Sequence, residues 1–187
     1  MKTLIFNGSP RSNGDTKALI NKMISKLDGD VMVVNAYDSK IKPCIDCRYC
    51  WKNAGCSIQD DMQAIYDYIE TCDNVVIASP IYFSELTGPL LSLASRLQIY
   101  FCSRYFRKEE IIRNMKNGGV ILVGGGDGDP ERAFSTASTI LRHMNVENIA
   151  DIICSHNTNN LSASKDLNAL NLVEELACMF NKKIHKV

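Results

Sequence analysis

No charge of either sign is in excess in this chain. Its 187 residues carry 21 acidic and 21 basic side chains, without the like-charge block of a nucleic-acid-binding tract or an acidic tail. Long hydrophobic runs are missing as well, and none approaches the ~18 residues of a membrane-spanning helix. The opening MKTLIFNGSP enters a strand pattern with no basic region and long apolar core ahead of it. A secretory signal is therefore not expected, and the expected location is cytoplasmic. Histidine is scarce, with His143, His156 and His185 on helical or late-strand patterns, and no residue stands out as a general acid or base. Repeats, low-complexity stretches and linkers are absent too. The length, 45% apolar and 22% charged, fits one domain spanning residues 1–187.

What the chain does have is a series of short aliphatic runs: Thr3–Phe6, Val31–Val34, Val75–Ala78, Val120–Val123 and, more weakly, Ile149–Cys154. Their lack of alternation suits parallel strands buried on both faces. Helical patterns lie between and after them, at Thr16–Leu27, Met62–Ile69, Leu90–Leu97, Ala133–Met144 and Asp166–Phe180. Asp60-Asp61, Pro89 and Pro130-Glu131 stand at helix starts. The order βαβαβαβαβα predicts an α/β fold, a doubly wound three-layer sandwich on a five-stranded parallel sheet with right-handed crossovers. In such a sheet the loops at the carboxyl ends of the strands share one edge, where ligands bind. Two segments, residues 36–59 and 99–117, are longer than this plan needs.

The first of those loops runs Ser9-Pro-Arg-Ser-Asn-Gly-Asp-Thr16. It is neither a Walker loop nor a GxGxxG turn. Ser9, Arg11, Ser12, Asn13, Gly14, Asp15 and Thr16 bring hydroxyl, amide and guanidinium donors to the start of a helix. That set can surround a phosphate monoester; an ordinary capped loop is the plainer reading of the segment alone. After the third strand, Pro80, Ile81, Tyr82 and Phe83 offer a flat apolar wall and consecutive amides, or simply a packed turn. After the fourth, Gly124, Gly125 and Gly126 let the backbone approach a ligand closely, followed by Asp127.

Eight cysteines are present, four of them in one loop as Cys44-x2-Cys47-x2-Cys50-x5-Cys56. Zinc sites more often use two separated CxxC knuckles, and the compact spacing is closer to ferredoxin ligation of an iron–sulfur cluster. Zinc, quiet neutral thiols and a Cys44–Cys47 disulfide are the other readings, the last disfavoured in a reducing compartment. Cys72, Cys102, Cys154 and Cys178 fall in strand or helix patterns and are expected to be buried. Residues 99–116 mix Tyr100, Phe101, Tyr105 and Phe106 with Arg107 and Lys108, which reads better as a subunit interface than as a nucleic-acid surface.

Gly8-Ser-Pro-Arg-Ser-Asn-Gly-Asp-Thr16, the cysteine loop with Asp60-Asp61-Met62, and Ser79-Pro-Ile-Tyr-Phe83 together resemble the flavodoxin-like NAD(P)H-dependent FMN reductases, in particular their iron–sulfur flavoprotein branch. The resemblance implies strand order 2-1-3-4-5 and FMN as cofactor. Its phosphate would lie in the first loop, its isoalloxazine against Pro80–Phe83, and its ribityl chain beside Gly124–Asp127. It also implies a 4Fe-4S cluster on Cys44, Cys47, Cys50 and Cys56. The family usually has Asn where Asp15 stands, and a carboxylate beside a phosphate repels it unless only the Asp15 amide faces the ligand. From the strand order, the cysteine loop is expected on the phosphate side of the edge. The function so implied is an FMN-dependent oxidoreductase of the flavin/quinone reductase type. It would take electrons from NAD(P)H or a reduced carrier such as ferredoxin, and assemble as a homodimer or homotetramer. A flavodoxin-like carrier without small-molecule turnover and a thiol redox sensor are the alternatives.

Overall fold

The computed structural model describes residues 1–182, so the expectation for His185 lies outside the described residues. The chain builds β1 (Lys2–Asn7), α1 (Asp15–Ile24), β2 (Asp30–Asn35), a single-turn α2 (Tyr49–Lys52), α3 (Met62–Thr71), β3 (Asn74–Pro80), α4 (Gly88–Ala94), α5 (Gln98–Cys102), β4 (Lys116–Val123), α6 (Glu131–His143), β5 (Val146–Ile149), β6 (Ile153–Ser155) and α7 (Leu167–Phe180). All strand pairings are parallel, as the sequence pattern implies, and the order is β2-β1-β3-β4-β5, as the resemblance implies.

Successive residues of the central strands point to opposite faces, which divides the core in two. Leu4, Phe6, Val75, Ile77, Val120 and Leu122 meet α3, α4 and α6 on one side. Ile5, Val76, Ala78, Ile121 and Val123 meet α1 and α7 on the other. Gly118 and Gly119 fix how closely β5 and α7 approach β4. A methyl group on Gly118 would sit 2.5 Å from a Val146 methyl, and one on Gly119 2.5 Å from Leu176 Cδ2, both far inside van der Waals contact.

The fifth strand differs from expectation. Instead of one run from Ile149 to Cys154, two short strands share the place beside β4. β5 pairs with Lys116–Gly118 and β6 with Ile121–Val123. Ala150 still bonds Gly118 through its amide, but Asp151 is exposed and the chain leaves the ladder there. A carboxylate in mid-strand cannot be buried between helix layers without a partner.

The helix expected at Leu90–Leu97 is also longer than predicted. From Gly88 the chain stays helical to Arg107, through a 3-10 turn at Ser95–Leu97, α5, and a π-type turn at Ser103–Arg107 that ends on left-handed Lys108. Much of the unexplained 99–117 segment is this extension. Of the cysteines expected inside, Cys72 and Cys102 are buried and Cys154 is half-buried, but Cys178 is exposed. It follows buried Ala177 on α7 and faces outward.

Candidate functional site

The loops singled out in the sequence emerge side by side, laced together by backbone bonds. Gly8 donates its amide to Ala78 O, Ile81 to Val123 O at 2.8 Å, and Gly124 to Ser155 O at 2.9 Å. Gly8 itself is pinned: Thr87 Oγ1 donates to its carbonyl at 2.8 Å. A Cβ there would lie 2.9 Å from Leu90 Cδ2, Ser79 Oγ and Thr87 Oγ1. The root of the first loop is thus wedged against the second.

The first loop is shaped by Asn7, which sequence reasoning passed over. Its Oδ1 accepts the Ser9 amide at 3.0 Å while its Nδ2 donates to Asn35 Oδ1, and Ser9 Oγ accepts the Arg11 amide. Arg11, Ser12 and Asn13 are exposed, whereas Ser9 and Thr16 are buried. Gly14 is the N-cap of α1 and supplies no side-chain cap. The amides of Asp15, Thr16 and Lys17 accordingly have no partner among the described residues. Such first-turn donors suit an anion. The Asp15 side chain turns away, its Oδ1 accepting the Ser162 hydroxyl at 2.7 Å and the Ala163 amide at 2.8 Å. The carboxylate that stands where the family usually has Asn is therefore occupied elsewhere, leaving the Asp15 amide for the loop.

In the second loop, Tyr82 and Glu85 exchange backbone bonds of 2.9 and 3.0 Å across Phe83-Ser84. Both tip residues have positive φ, at 55° and 60°, the signature of a type I′ hairpin normally built from Asn and Gly. Tyr82 is half-exposed and Phe83 wholly so. Thr136 Oγ1 donates to Glu85 Oε2 at 2.9 Å and fixes the hairpin to α6. The third loop is held from below by a segment without a sequence signal. Asn157 and Thr158 donate their amides to Gly126 O and Gly124 O, and Thr158 Oγ1 adds a bond to Gly124 O. Gly125, Gly126 and Asp127 stay exposed.

The cysteine loop leaves β2 but folds across to the helical run that follows the second loop, instead of resting over the first. Cys44 donates its amide to Ser95 Oγ at 2.9 Å, and Arg107 Nη1 donates to the Cys50 carbonyl. Cys44, Cys47, Cys50 and Cys56 line one cavity of about 90 Å³ together with Arg96, Ile99 and a fifth thiol, Cys102. Among the described residues no three Cys, His, Asp or Glu groups converge as ligands of a single metal ion. A cubane is larger than one ion and needs its thiolates further apart around a hollow. Four thiols lining one cavity supply the number of ligands such a cluster takes.

The thiols differ electrostatically. Burial, followed by a hydrogen bond with Cys102, pushes Cys50 up to about 12. Cys47 is lowered, first by a hydrogen bond with Ser57 Oγ at 3.0 Å and then by the Tyr49 amide.

Arg96, hidden in a helical pattern, closes the loop. Its side chain is fully buried and pairs with Asp60 at 2.7 Å. Nη1 also donates to Lys42 O at 2.9 Å, and Nη2 to Ile58 O at 3.1 Å, on either side of the four cysteines. Asp60 answers by accepting the amides of Lys42 and Met62. Burial alone would raise the Asp60 pKa, but the Arg96 hydrogen bond and those two amides outweigh it and hold the carboxyl below its ordinary value. Beside the cavity, Trp51 stacks on Phe106 at 4.1 Å and Arg48 lies 4.9 Å above the Trp51 ring. Tyr105 and Phe101 stack next to them and are exposed.

A doubly wound sheet with a non-Walker loop whose first-turn amides are open, an aromatic hairpin and a glycine loop on one edge defines a flavodoxin-like fold. The sequence model of the NADPH-dependent FMN reductases matches residues 1–159, and the chain belongs to that family. An iron-sulfur flavoprotein of Methanocaldococcus jannaschii is 31% identical over 127 residues, 66% of this chain and 62% of that protein. The chain thus spans less than two thirds of that relative's length. A second iron-sulfur flavoprotein of the same organism is 32% identical over 141 residues, covering 73% of this chain and 68% of the relative. Among solved structures, an NAD(P)H:quinone oxidoreductase from Methanothermobacter marburgensis superposes with a TM-score of 0.73 over 99% of both chains at 14% identity, a likeness of fold. No helix among the described residues is long and apolar enough to cross a membrane.

Proposed function

We propose that the protein is an FMN-dependent oxidoreductase that takes electrons from NAD(P)H and passes them to a quinone or another acceptor. In this reading Cys44, Cys47, Cys50 and Cys56 would hold a 4Fe-4S cluster, which would supply electron transfer to or from FMN. The observation that carries the reading is the family match across the loops that form the site edge; the iron-sulfur flavoproteins among the relatives support the cluster. Bound FMN supplies a ring that accepts hydride and releases electrons.

The chain's own residues bind and orient. The amides of Asp15, Thr16 and Lys17, with Ser9, Arg11, Ser12, Asn13 and Thr16, would hold the phosphate; the Gly14 N-cap leaves that helix end open. Pro80–Phe83 would hold the ring, and Gly124–Asp127 the ribityl chain. No proton donor is required for hydride transfer, which needs stacking and access. Pairing of two or four copies over the exposed Phe101, Tyr105 and Phe106 face, and docking of a carrier such as ferredoxin, belong to the same reading.

Anaerobic purification with flavin and iron analysis tests it, followed by NADPH oxidation with a quinone as acceptor. One FMN and about four iron per chain with turnover is the expected result. FMN without turnover on any acceptor would favour a flavodoxin-like carrier.

A further inference from the structure

The cysteine cavity contains a cation that its anchoring duty does not exhaust. Arg96 lines the cavity, its side chain is completely buried, and three of its N–H contacts are accounted for by Lys42, Ile58 and Asp60. Its Nε is buried and has no partner. A buried, unsatisfied N–H of a charged group costs on the order of 1–3 kcal/mol or more, so an orphan donor on a side chain that lines the cavity calls for an acceptor from that side.

We propose that Arg96 is a positioning residue for the anionic cluster, donating its Nε–H to a cluster sulfur and supplying counter-charge. The inference rests on the cluster reading above. Four thiolates around iron and sulfide leave a net negative charge in a cavity whose other walls include Ile45, Ile58 and Ile99. Hydrogen bonds to the sulfurs and nearby positive charge are what set the reduction potential of such a cluster. Asp60 offsets one unit of Arg96 charge, but the hydrogen bond is local and directional, and it favours the more negative, reduced state.

The test compares wild type, R96K and S95A after anaerobic purification. Iron, sulfide and FMN are measured per chain, and the cluster is titrated potentiometrically with detection by electron paramagnetic resonance. R96K keeps the charge and loses the Nε donor. It is expected to retain FMN and about four iron per chain, with the cluster potential shifted negative. S95A loosens the loop at Cys44 while Arg96 keeps its donors, and its potential is expected to shift less than that of R96K. An R96K potential equal to wild type with iron in place overturns the inference alone. So does an equal negative shift in R96K and S95A, or loss of iron from R96K with FMN retained, since either would reduce Arg96 to a loop anchor. Iron-free wild-type protein would instead overturn the cluster reading and this inference with it.

Discussion

Asp15 and Ser162 are joined by a 2.7 Å hydrogen bond across 147 residues of sequence, which ties the first turn of α1 to the short 3-10 turn ahead of α7. The bond holds a carboxylate away from the loop that the proposed phosphate occupies. Ser162→Ala removes the hydroxyl partner and leaves the Ala163 amide alone to restrain it. A lost hydrogen bond of this kind is worth about 0.5–1.5 kcal/mol. FMN affinity is therefore expected to fall about 3–10-fold, as read by quenching of flavin fluorescence. An unchanged affinity would show that Asp15 does not order the loop.

Gly8 has no space for a side chain, with three heavy atoms 2.9 Å from where its Cβ would stand. Gly8→Ala is expected to cost roughly 1–3 kcal/mol through overpacking and to weaken FMN binding at the same time. Thr87→Val, which deletes the bond to Gly8 O, should lower stability by about 1 kcal/mol with less steric disturbance. Urea unfolding of both variants checks the ordering. Equal stability of G8A and wild type would refute the wedged geometry.

In iron-free protein at neutral pH, iodoacetamide should modify Cys47 well before Cys50. The thiolate is the nucleophile, and the Ser57 contact favours it at Cys47, whereas burial and Cys102 push Cys50 to about 12. Mass spectrometry of peptides from a time course measures the order. Loading iron should protect both, and equal rates in the iron-free protein would contradict the geometry.

The Arg96–Asp60 pair sets an acid limit on the loop. The folded pKa of Asp60 is depressed, so its stabilising contribution is complete above the unfolded value of about 3.9. That contribution is lost as pH falls through the lower folded value. Asp60→Ala leaves the buried Arg96 charge without its partner, a change that costs about 3–5 kcal/mol for buried pairs. Hydrogen exchange over residues 42–58 should rise sharply in the variant at pH 7. In wild type the same rise should come only in acid, after correction for intrinsic exchange rates. Protection in the variant matching wild type at pH 7 would remove the pair from its clamping role.

The parallel strands and the loops on their edge were legible because buried parallel strands leave short aliphatic runs, and the loops after them carry unusual residues; the strand order came from the family resemblance. The paired short strands after α6 were less so. Val146-Glu147-Asn148-Ile149 has no more strand character than many loops, and its pairing is decided by the open side of β4. Arg96 left no trace because a single arginine in an amphipathic helix reads as solvated; its burial depends on carbonyls at Lys42 and Ile58, brought in by a distant loop. Asn7 and Ser162 were invisible for the same reason, since their roles exist only once remote segments meet. Phe83 in a left-handed tip ran against local preference, which would assign such a turn to Asn or Gly. The side-chain orientation of Asp15 could be posed from sequence as an alternative and was decided by the turn ahead of α7.

The unbroken helical run from Gly88 to Arg107 begins directly behind the aromatic hairpin and carries Ser95, Arg96 and Cys102 along its length. At about 1.5 Å per residue, the stretch from Gly88 to Arg96 amounts to a ruler of roughly 12 Å. The spacing between the hairpin and the cavity is consequently metered by the rise of a hydrogen-bonded helix. Lengthening or trimming the cysteine loop would alter the cavity's lining while leaving that interval intact.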